Sequence, residues 1–314
     1  MELSEFCSTA RVVIVAGKGG VGKTTATATL AVAAARTGMS VLIVEVEGKS
    51  GLAAAFDGAG LSYEESELSD GVRARTLTPD EALLDWLESN GMRRISKRLV
   101  RTGVLDVIAT AIPGMKDILV LGKVKQLDLL RAADLIIVDA PAAGHAVTFL
   151  TSAHGLLDAV SVGPVRKQAA DVVALLSNPE RCQVLLVTLP EETPVNELID
   201  TAYAIEDKAG VALGPVIVNG CYDDLPYCDE MTAATVQHDA GLLNLHIDGA
   251  ATDDLADAAA FRAERSAIQR RQADRLAERL PLPQIRLPFI FTADIGRAEI
   301  DRLADVLTSG VLAL

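Results

Sequence analysis

The sequence predicts an α/β protein with a doubly wound, mostly parallel sheet, and three observations lead to that prediction. Residues 12–16 and 41–46 are short, mostly apolar runs, as expected of strands that are buried on both faces. An alanine-rich stretch with helical character, residues 25–36, lies between them. Strand, helix and strand in this spacing form a βαβ unit, in which the two strands are parallel. Similar apolar runs, separated by helical pattern, recur further along the chain, at residues 135–139, 184–187 and 216–218.

The length and composition of the chain are those of one large α/β domain. The 314 residues are 50% hydrophobic and the mean hydropathy is +0.29, so a sizeable core is available. We find no linker or low-complexity tract. We therefore expect a single domain over residues 1–314, with an appended helical subdomain formed at about residues 80–131 and 142–180.

Charge and cysteine usage narrow the class of protein. The net charge of −14 argues against binding to nucleic acid or anionic lipid, because both require a basic face. The basic cluster at residues 93–101 is more typical of a solvated surface or a subunit contact. No apolar run approaches the roughly 20 residues of a membrane span. With an acidic N-terminus and four scattered cysteines, the sequence favours a cytoplasmic protein without an integral membrane segment.

The loop after the first predicted strand carries the strongest functional motif. Residues 17–24 match the phosphate-binding pattern G-x-x-x-x-G-K-[ST] at every fixed position. Glycines let the backbone N–H groups turn towards a phosphate, and the following helix adds partial positive charge. Lys23 is expected to contact the β- and γ-phosphates, and Thr24 to ligate Mg²⁺. The residues expected to bind the nucleotide are Gly17, Gly19, Gly20, Val21, Gly22, Lys23, Thr24 and Thr25.

Two acidic residues follow other predicted strands and are expected at the same edge of the sheet. Asp139 ends the run at residues 135–139, where a P-loop protein needs a carboxylate on the Mg²⁺ side. Glu47 follows the second strand and is expected to point towards the phosphates, in a mobile loop over residues 47–60. Residues 140–145 are expected to form a second flexible loop, followed by a helix.

A second lysine in the loop, Lys18, makes the chain resemble a known group of proteins. Its loop is similar to the deviant phosphate loops of dimeric ATPases related to MinD and ParA. Most of the chain resembles the branch that contains the arsenite-pump ATPase and the tail-anchored-protein-targeting ATPase. Residues 45–52 and 139–145 stand where that branch has its two switch loops. Val218-Asn219 and Leu287-Pro288-Phe289 are similar to its adenine-side segments.

The resemblance implies an ATPase that binds ATP or ADP with Mg²⁺, pairs with a second subunit and acts on a protein client. Lys18 is then implied to reach the phosphates of the partner subunit, and Asn219, Pro288 and Phe289 to contact the adenine. Glu47 takes the place of the family's water-orienting aspartate. Because Glu47 is one methylene longer, we expect slow hydrolysis or none.

Several positions depart from the family pattern. Cys221 and Cys228 do not form the C-x-x-C motif with which the targeting branch shares a zinc ion between subunits, so we do not expect zinc. The chain has five methionines, whereas client capture in that branch uses a methionine-rich segment. Residues 91–122 could line a modest groove or pack in the core. His145 could have a switch role or be a packed histidine at the start of a helix.

Three functions remain compatible with the sequence. The first is a homodimeric, ATP-hydrolysing switch that acts on an unknown client. The second is a catalytically weak, nucleotide-gated subunit of a hetero-oligomer with a paralogous ATPase. The third is a positioning ATPase of the MinD/ParA type, which would need a C-terminal amphipathic membrane helix or a basic DNA-binding face.

Overall fold

The computed structural model describes residues 1–46, 51–58, 60–91, 114–223, 225, 231–243 and 245–314. A mixed sheet forms the centre of this part of the chain. Its strands are β1 Val12–Gly17, β2 Val41–Val46, β3 Ser66–Ser69, β4 Val72–Leu77, β5 Leu135–Ala142, β6 Cys182–Thr188, β7 Ala212–Cys221 and β8 Gln284–Pro288. Their order is β3-β4-β2-β5-β1-β6-β7-β8, and β3 is antiparallel to β4 while the other paired strands are parallel.

Helices cover both faces of the sheet. They are α1 Leu3–Ser8, α2 Lys23–Arg36, α3 Gly51–Ala55, α4 Pro79–Ser89, α5 Met115–Leu129, α6 Ala143–Ala159, α7 Pro164–Leu176, α8 Glu192–Ala209, α9 Ala233–Leu242, α10 Gly249–Arg279 and α11 Arg297–Leu312. The α1, α2, α3 and α11 helices share a core with one face, and α4 to α8 share a core with the other. The predicted doubly wound α/β fold is confirmed.

The two cores explain why the strands are apolar at nearly every position. Along β1, Val12 and Ile14 face one core, whereas Val13 and Val15 face the other. A strand that is covered on both sides cannot show the alternation of apolar and polar residues that marks a half-exposed strand. The apolar runs predicted as strands at residues 12–16, 41–46, 135–139, 184–187 and 216–218 are confirmed.

Two predicted loops differ from the structure. Residues 140–145 do not form a flexible loop, because β5 continues to Ala142, stays paired with β1, and leads directly into α6 at Ala143. The loop predicted at residues 47–60 contains the short helix α3, whose Leu52 is fully buried in the core beside α2. Residues 47–50 and 59 lie outside the described residues.

An antiparallel hairpin at the edge of the sheet was not predicted. It joins β3 to β4 through Asp70-Gly71, and Gly71 has a φ of +75°. An Asp-Gly pair between two strands is a strong hairpin signal, because such turns need a positive φ value, which glycine adopts without steric cost. The signal was present in the sequence, but three of the four residues of β3 are polar, so it does not look like a strand.

The helices assigned to the appended subdomain share a core with the sheet. Leu83 of α4, Ile118 of α5 and Phe149 of α6 belong to the same apolar cluster as Ile14 of β1. The division into a main domain and a helical subdomain stays a prediction. Much of the predicted groove at residues 91–122 lies outside the described residues, and the described residues Ile118–Leu121 are buried in the core. Within the described residues, no helix is long and apolar enough to cross a membrane.

Candidate nucleotide-binding site

The β1–α2 loop lies at the centre of the carboxyl edge of the sheet. β1 has β5 on one side and β6 on the other, so the chain leaves β1 where crossovers run in opposite directions. Open α/β sheets bind ligands at such a switch point. The loop ends at Gly22, the N-cap of α2, with a φ of +89°, and Gly20 has a φ of +85°.

The loop glycines fall into two groups. At two of them a side chain would collide with the protein. A Cβ atom on Gly17 would lie 2.3 Å from the carbonyl oxygen of Val187, and one on Gly22 would lie 2.2 Å from Nδ2 of Asn219. At Gly19 and Gly20 a Cβ atom would meet no heavy atom within 4 Å. The loop therefore packs tightly at its two ends and opens to free space in the middle, which suits a cradle for an anion.

Hydrogen bonds from the chain's own residues hold the loop in this shape. Nζ of the buried Lys23 donates to the carbonyl oxygen of Lys18 at 3.1 Å. Asn219, at the end of β7, donates from Nδ2 to the carbonyl oxygen of Val21 at 3.0 Å. Thr25, in the first turn of α2, is half-buried. These hydrogen bonds within the chain thus fix the shape of the loop.

Thr24 and Asp139 are in direct contact at the mouth of the loop. The Thr24 hydroxyl donates to Oδ2 of Asp139 at 2.7 Å, and Asp139 is only 4% exposed. Val15 and Asp139 are neighbours in register on β1 and β5, so the parallel pairing brings the carboxylate to the loop. A hydroxyl and a carboxylate are oxygen ligands of the kind that Mg²⁺ prefers. Within the described part of the chain, no group of three or more His, Cys, Asp or Glu residues is placed to hold a metal ion.

A second buried carboxylate next to Asp139 was missed in the sequence. Glu45 of β2 is the register partner of Asp139 and is 2% exposed. Its Oε2 accepts a hydrogen bond from the Thr76 hydroxyl of β4 at 3.0 Å. The available signal was an acidic residue inside an otherwise apolar strand, which is unusual unless the residue has a partner or a function.

Lys18 contacts its own chain. Its Nζ donates to Oε1 of Glu197 in α8 at 2.6 Å, and the two side chains are 38% and 42% exposed. Sequence reasoning did not identify Glu197, and no motif marks it.

The residues expected on the adenine side are divided between two strands. Asn219 of β7 contacts the loop directly. Pro288, the last residue of β8, is paired in register with Cys221, and the Phe289 N–H donates to the Cys221 carbonyl at 2.7 Å. The Phe289 ring packs edge-on against Tyr222, with the centroids 5.3 Å apart, and the residue is 42% exposed. An exposed aromatic face is therefore present at this end of the sheet edge.

Four other predicted positions have different outcomes. Glu47 and Cys228 lie outside the described residues, and their roles stay predictions. Cys221 is half-buried, and burial raises the pKa of its thiol to about 11. His145 lies exposed in the first turn of α6, so it is not a packed histidine, and its switch role stays a prediction.

Comparison with known proteins agrees with the fold and with the loop. Residues 10–161 match the family model described as anion-transporting ATPase. ATPase BagA of Mycobacterium tuberculosis is 37% identical over 223 residues, which are 67% of this chain and 64% of that protein. ATPase get3 of Schizosaccharomyces japonicus is 27% identical over 180 residues, 54% of each chain. ATPase GET3 of Paracoccidioides lutzii is 33% identical over 152 residues, 45% of this chain and 42% of that protein.

The matched part of the chain thus spans about 64% of the length of the mycobacterial relative. The family match covers β1 to β5, including the phosphate loop and Asp139, and ends just after α6. Over residues 10–161, the chain is similar to the anion-transporting ATPase family.

Proposed function

We propose that this protein binds ATP with Mg²⁺ and hydrolyses it slowly, as a dimeric switch that couples its nucleotide state to a protein partner or client. The observation that carries the proposal is the contact between Thr24 and Asp139 at the mouth of an open, glycine-lined loop. The family match and the relatives named as ATPases support the reaction class.

The phosphates are held by the middle of the loop. The space around Gly19 and Gly20 is open, and the N-terminus of α2 begins directly after it at Lys23. Backbone N–H groups and the helix dipole together favour an anion at this position. Lys23 adds a positive charge, and its present hydrogen bond to the loop carbonyl of Lys18 keeps its ammonium at the loop.

The metal is held by Thr24 and Asp139. Because the Thr24 hydroxyl donates its proton to Asp139, its lone pairs remain to face a cation. When bound, Mg²⁺ supplies positive charge that offsets the negative charge of the phosphates. Asp139 is buried on the same side and contributes its carboxylate.

Lys18 and Glu47 act on the hydrolysis step itself. Lys18 places its ammonium on the phosphates of the partner subunit, where it stabilises the charge that develops in the transition state. Glu47 orients the attacking water. Its extra methylene displaces the carboxylate by about 1 Å, and such a displacement slows a reaction by roughly a hundredfold.

The experiment that tests the proposal measures binding, hydrolysis and association on the same purified chain. We expect calorimetry to show Mg-ATP binding, phosphate release to be slow but measurable, and light scattering to show a dimer with ATP. The Glu47→Asp variant should hydrolyse faster. The Lys18→Ala variant should bind ATP and lose hydrolysis, whereas Lys208→Ala, at an exposed lysine in the last turn of α8, should behave as wild type.

Other results would contradict individual parts of the proposal. Absence of nucleotide binding would refute it altogether. Hydrolysis that survives Lys18→Ala would refute the role of that lysine. A chain that binds ATP but stays monomeric would favour the second function, a weak subunit that pairs with a paralogous ATPase.

The α11 helix gives no support to a positioning ATPase. An amphipathic helix that binds a membrane exposes its apolar face, whereas α11 packs Leu303, Leu307 and Val311 in the core.

A further inference from the structure

The ion pair between Lys18 and Glu197 occupies the lysine on which the proposed cross-subunit chemistry depends. The distance between Nζ and Oε1 is 2.6 Å, well within hydrogen-bond range. Both partners are partly open to solvent, so water and salt weaken the pair and the lysine can leave it. A lysine that is held against a carboxylate on its own chain is not available to a second subunit.

The structure fixes the carboxylate side of this pair more firmly than the lysine side. Glu197 lies in the second turn of α8, between the buried residues Val195 and Leu198. The same end of α8 is tied to α10 by Glu191, whose Oε1 lies 3.0 Å from Nη2 of Arg265, and by a hydrogen bond from Arg275 to Asn196. Lys18 sits on the loop and has a long, flexible side chain. The lysine is therefore the partner that moves.

We propose that Glu197 is a positioning residue that holds Lys18 on its own subunit and opposes its transfer to the phosphates of the second subunit. This inference rests on the proposed function. The fold places the two residues together, because β6 lies beside β1 and α8 begins four residues after β6 ends. Lys18 has to exchange one anionic partner, the carboxylate, for another, the phosphates, and the two compete for one ammonium group.

The size of the effect follows from the exposure of the pair. Ion pairs at this level of exposure contribute little to stability. Their measured contributions correspond to about a 1.5- to 5-fold change in an equilibrium constant. The ion pair therefore weakens the association of two subunits slightly and does not prevent it. Removing the charge of Glu197 should free Lys18 without changing the fold of α8, because its side chain is not part of the core.

The test compares Glu197→Gln with Glu206→Gln in the full chain. Both changes remove one negative charge from α8, and Glu206 is exposed and lies about 13 Å further along the helix. The first measurement is the rate at which an amine-reactive reagent labels Lys18 without nucleotide, followed by mass spectrometry. We expect a rate that is about 1.5 to 5 times faster in Glu197→Gln and the wild-type rate in Glu206→Gln.

The second measurement is self-association in Mg-ATP by analytical ultracentrifugation. Because two such pairs must break in each dimer, Glu197→Gln should associate about 2- to 25-fold more tightly than wild type, and Glu206→Gln should not. In a Lys18→Ala background the Glu197 substitution should have no effect, because the residue acts through the lysine. An unchanged labelling rate in Glu197→Gln, or an effect that persists without Lys18, would overturn the inference. A wild-type chain that fails to bind Mg-ATP would instead refute the proposed function, and the labelling rate would still report on the ion pair.

Discussion

Alanine substitutions at three loop glycines distinguish effects on folding stability from effects on ligand binding. The most damaging should be Gly22→Ala. Gly22 has a φ of +89°, and a Cβ atom there would lie 2.2 Å from Nδ2 of Asn219. The Asn219 side chain would have to move and would lose its 3.0 Å hydrogen bond to the carbonyl oxygen of Val21.

Two contributions set the loss of stability in Gly22→Ala. A residue other than glycine with this backbone conformation costs about 1–2 kcal/mol. The lost hydrogen bond costs about 1 kcal/mol more. We therefore expect Gly22→Ala to lower the free energy of unfolding by about 2–3 kcal/mol.

Gly20→Ala and Gly19→Ala are the matched controls. Gly20 also has a positive φ, +85°, but its Cβ atom would meet nothing within 4 Å, so only the backbone cost of about 1–2 kcal/mol applies. Gly19 has neither a positive φ nor a close neighbour, so its substitution should change stability by less than about 0.5 kcal/mol. In Gly19→Ala the methyl group projects into the space that we assign to phosphate, and ATP affinity should fall although the fold is intact.

The assay is urea unfolding followed by circular dichroism, with ATP affinity measured by calorimetry on the same samples. The expected order of stability is Gly19→Ala, then Gly20→Ala, then Gly22→Ala. If Gly22→Ala were no less stable than Gly20→Ala, the contact between Asn219 and the loop would not contribute as we argue. If Gly19→Ala bound ATP as wild type does, the open middle of the loop would not be the phosphate site.

Three further predictions concern other residues. Asp139→Asn should weaken ATP binding in the presence of Mg²⁺ by more than in its absence, because the lost charge faces the metal; equal losses in both calorimetric titrations would contradict this. Asp128→Asn should lower the free energy of unfolding by about 2 kcal/mol at pH 7, because Asp128 is buried and accepts hydrogen bonds from Arg11 and Arg181. Burial would raise the pKa of Asp128, but the hydrogen bonds and charges of the two arginines outweigh burial and lower the pKa. The stabilisation by Asp128 is therefore present above about pH 4 and is lost as the pH falls further. A difference in stability between wild type and variant that persists in urea unfolding at pH 2 would contradict this prediction. Phe289→Ala should weaken ATP binding about tenfold and leave tripolyphosphate binding unchanged if the exposed ring stacks on the base, and equal losses for both ligands in calorimetry would refute that contact.

The fold was predictable where the signal is local. The strands are apolar runs of limited length, and the loop glycines follow a fixed spacing, so β1, α2 and β2 could be placed within a few residues. The antiparallel β3 was missed because it is short, three of its four residues are polar, and it lies at the sheet edge. The direct passage from β5 into α6 was missed because Pro141 and Gly144 are residue types that favour loops, whereas pairing with β1 keeps the backbone extended.

Only the part of the candidate site that follows local sequence patterns was predictable. The phosphate pattern and the acidic end of an apolar strand made Lys23, Thr24 and Asp139 candidates, and the structure places Thr24 and Asp139 in contact. Glu45 escaped notice because an acidic residue in a strand has no fixed meaning until its neighbours across the sheet are known.

The sequence by itself determined the parallel α/β architecture and the chemistry of the loop, since both depend on residues that are close together in the chain. Only the tertiary structure decided which distant residues complete the loop. Asn219 contacts Val21 across 198 positions, and Glu197 contacts Lys18 across 179. Strand order brings β6, β7 and α8 beside β1, and this order depends on packing against both faces of the sheet. An ion pair between two half-exposed side chains leaves no periodic or spacing pattern, so it is visible only after the chain has folded.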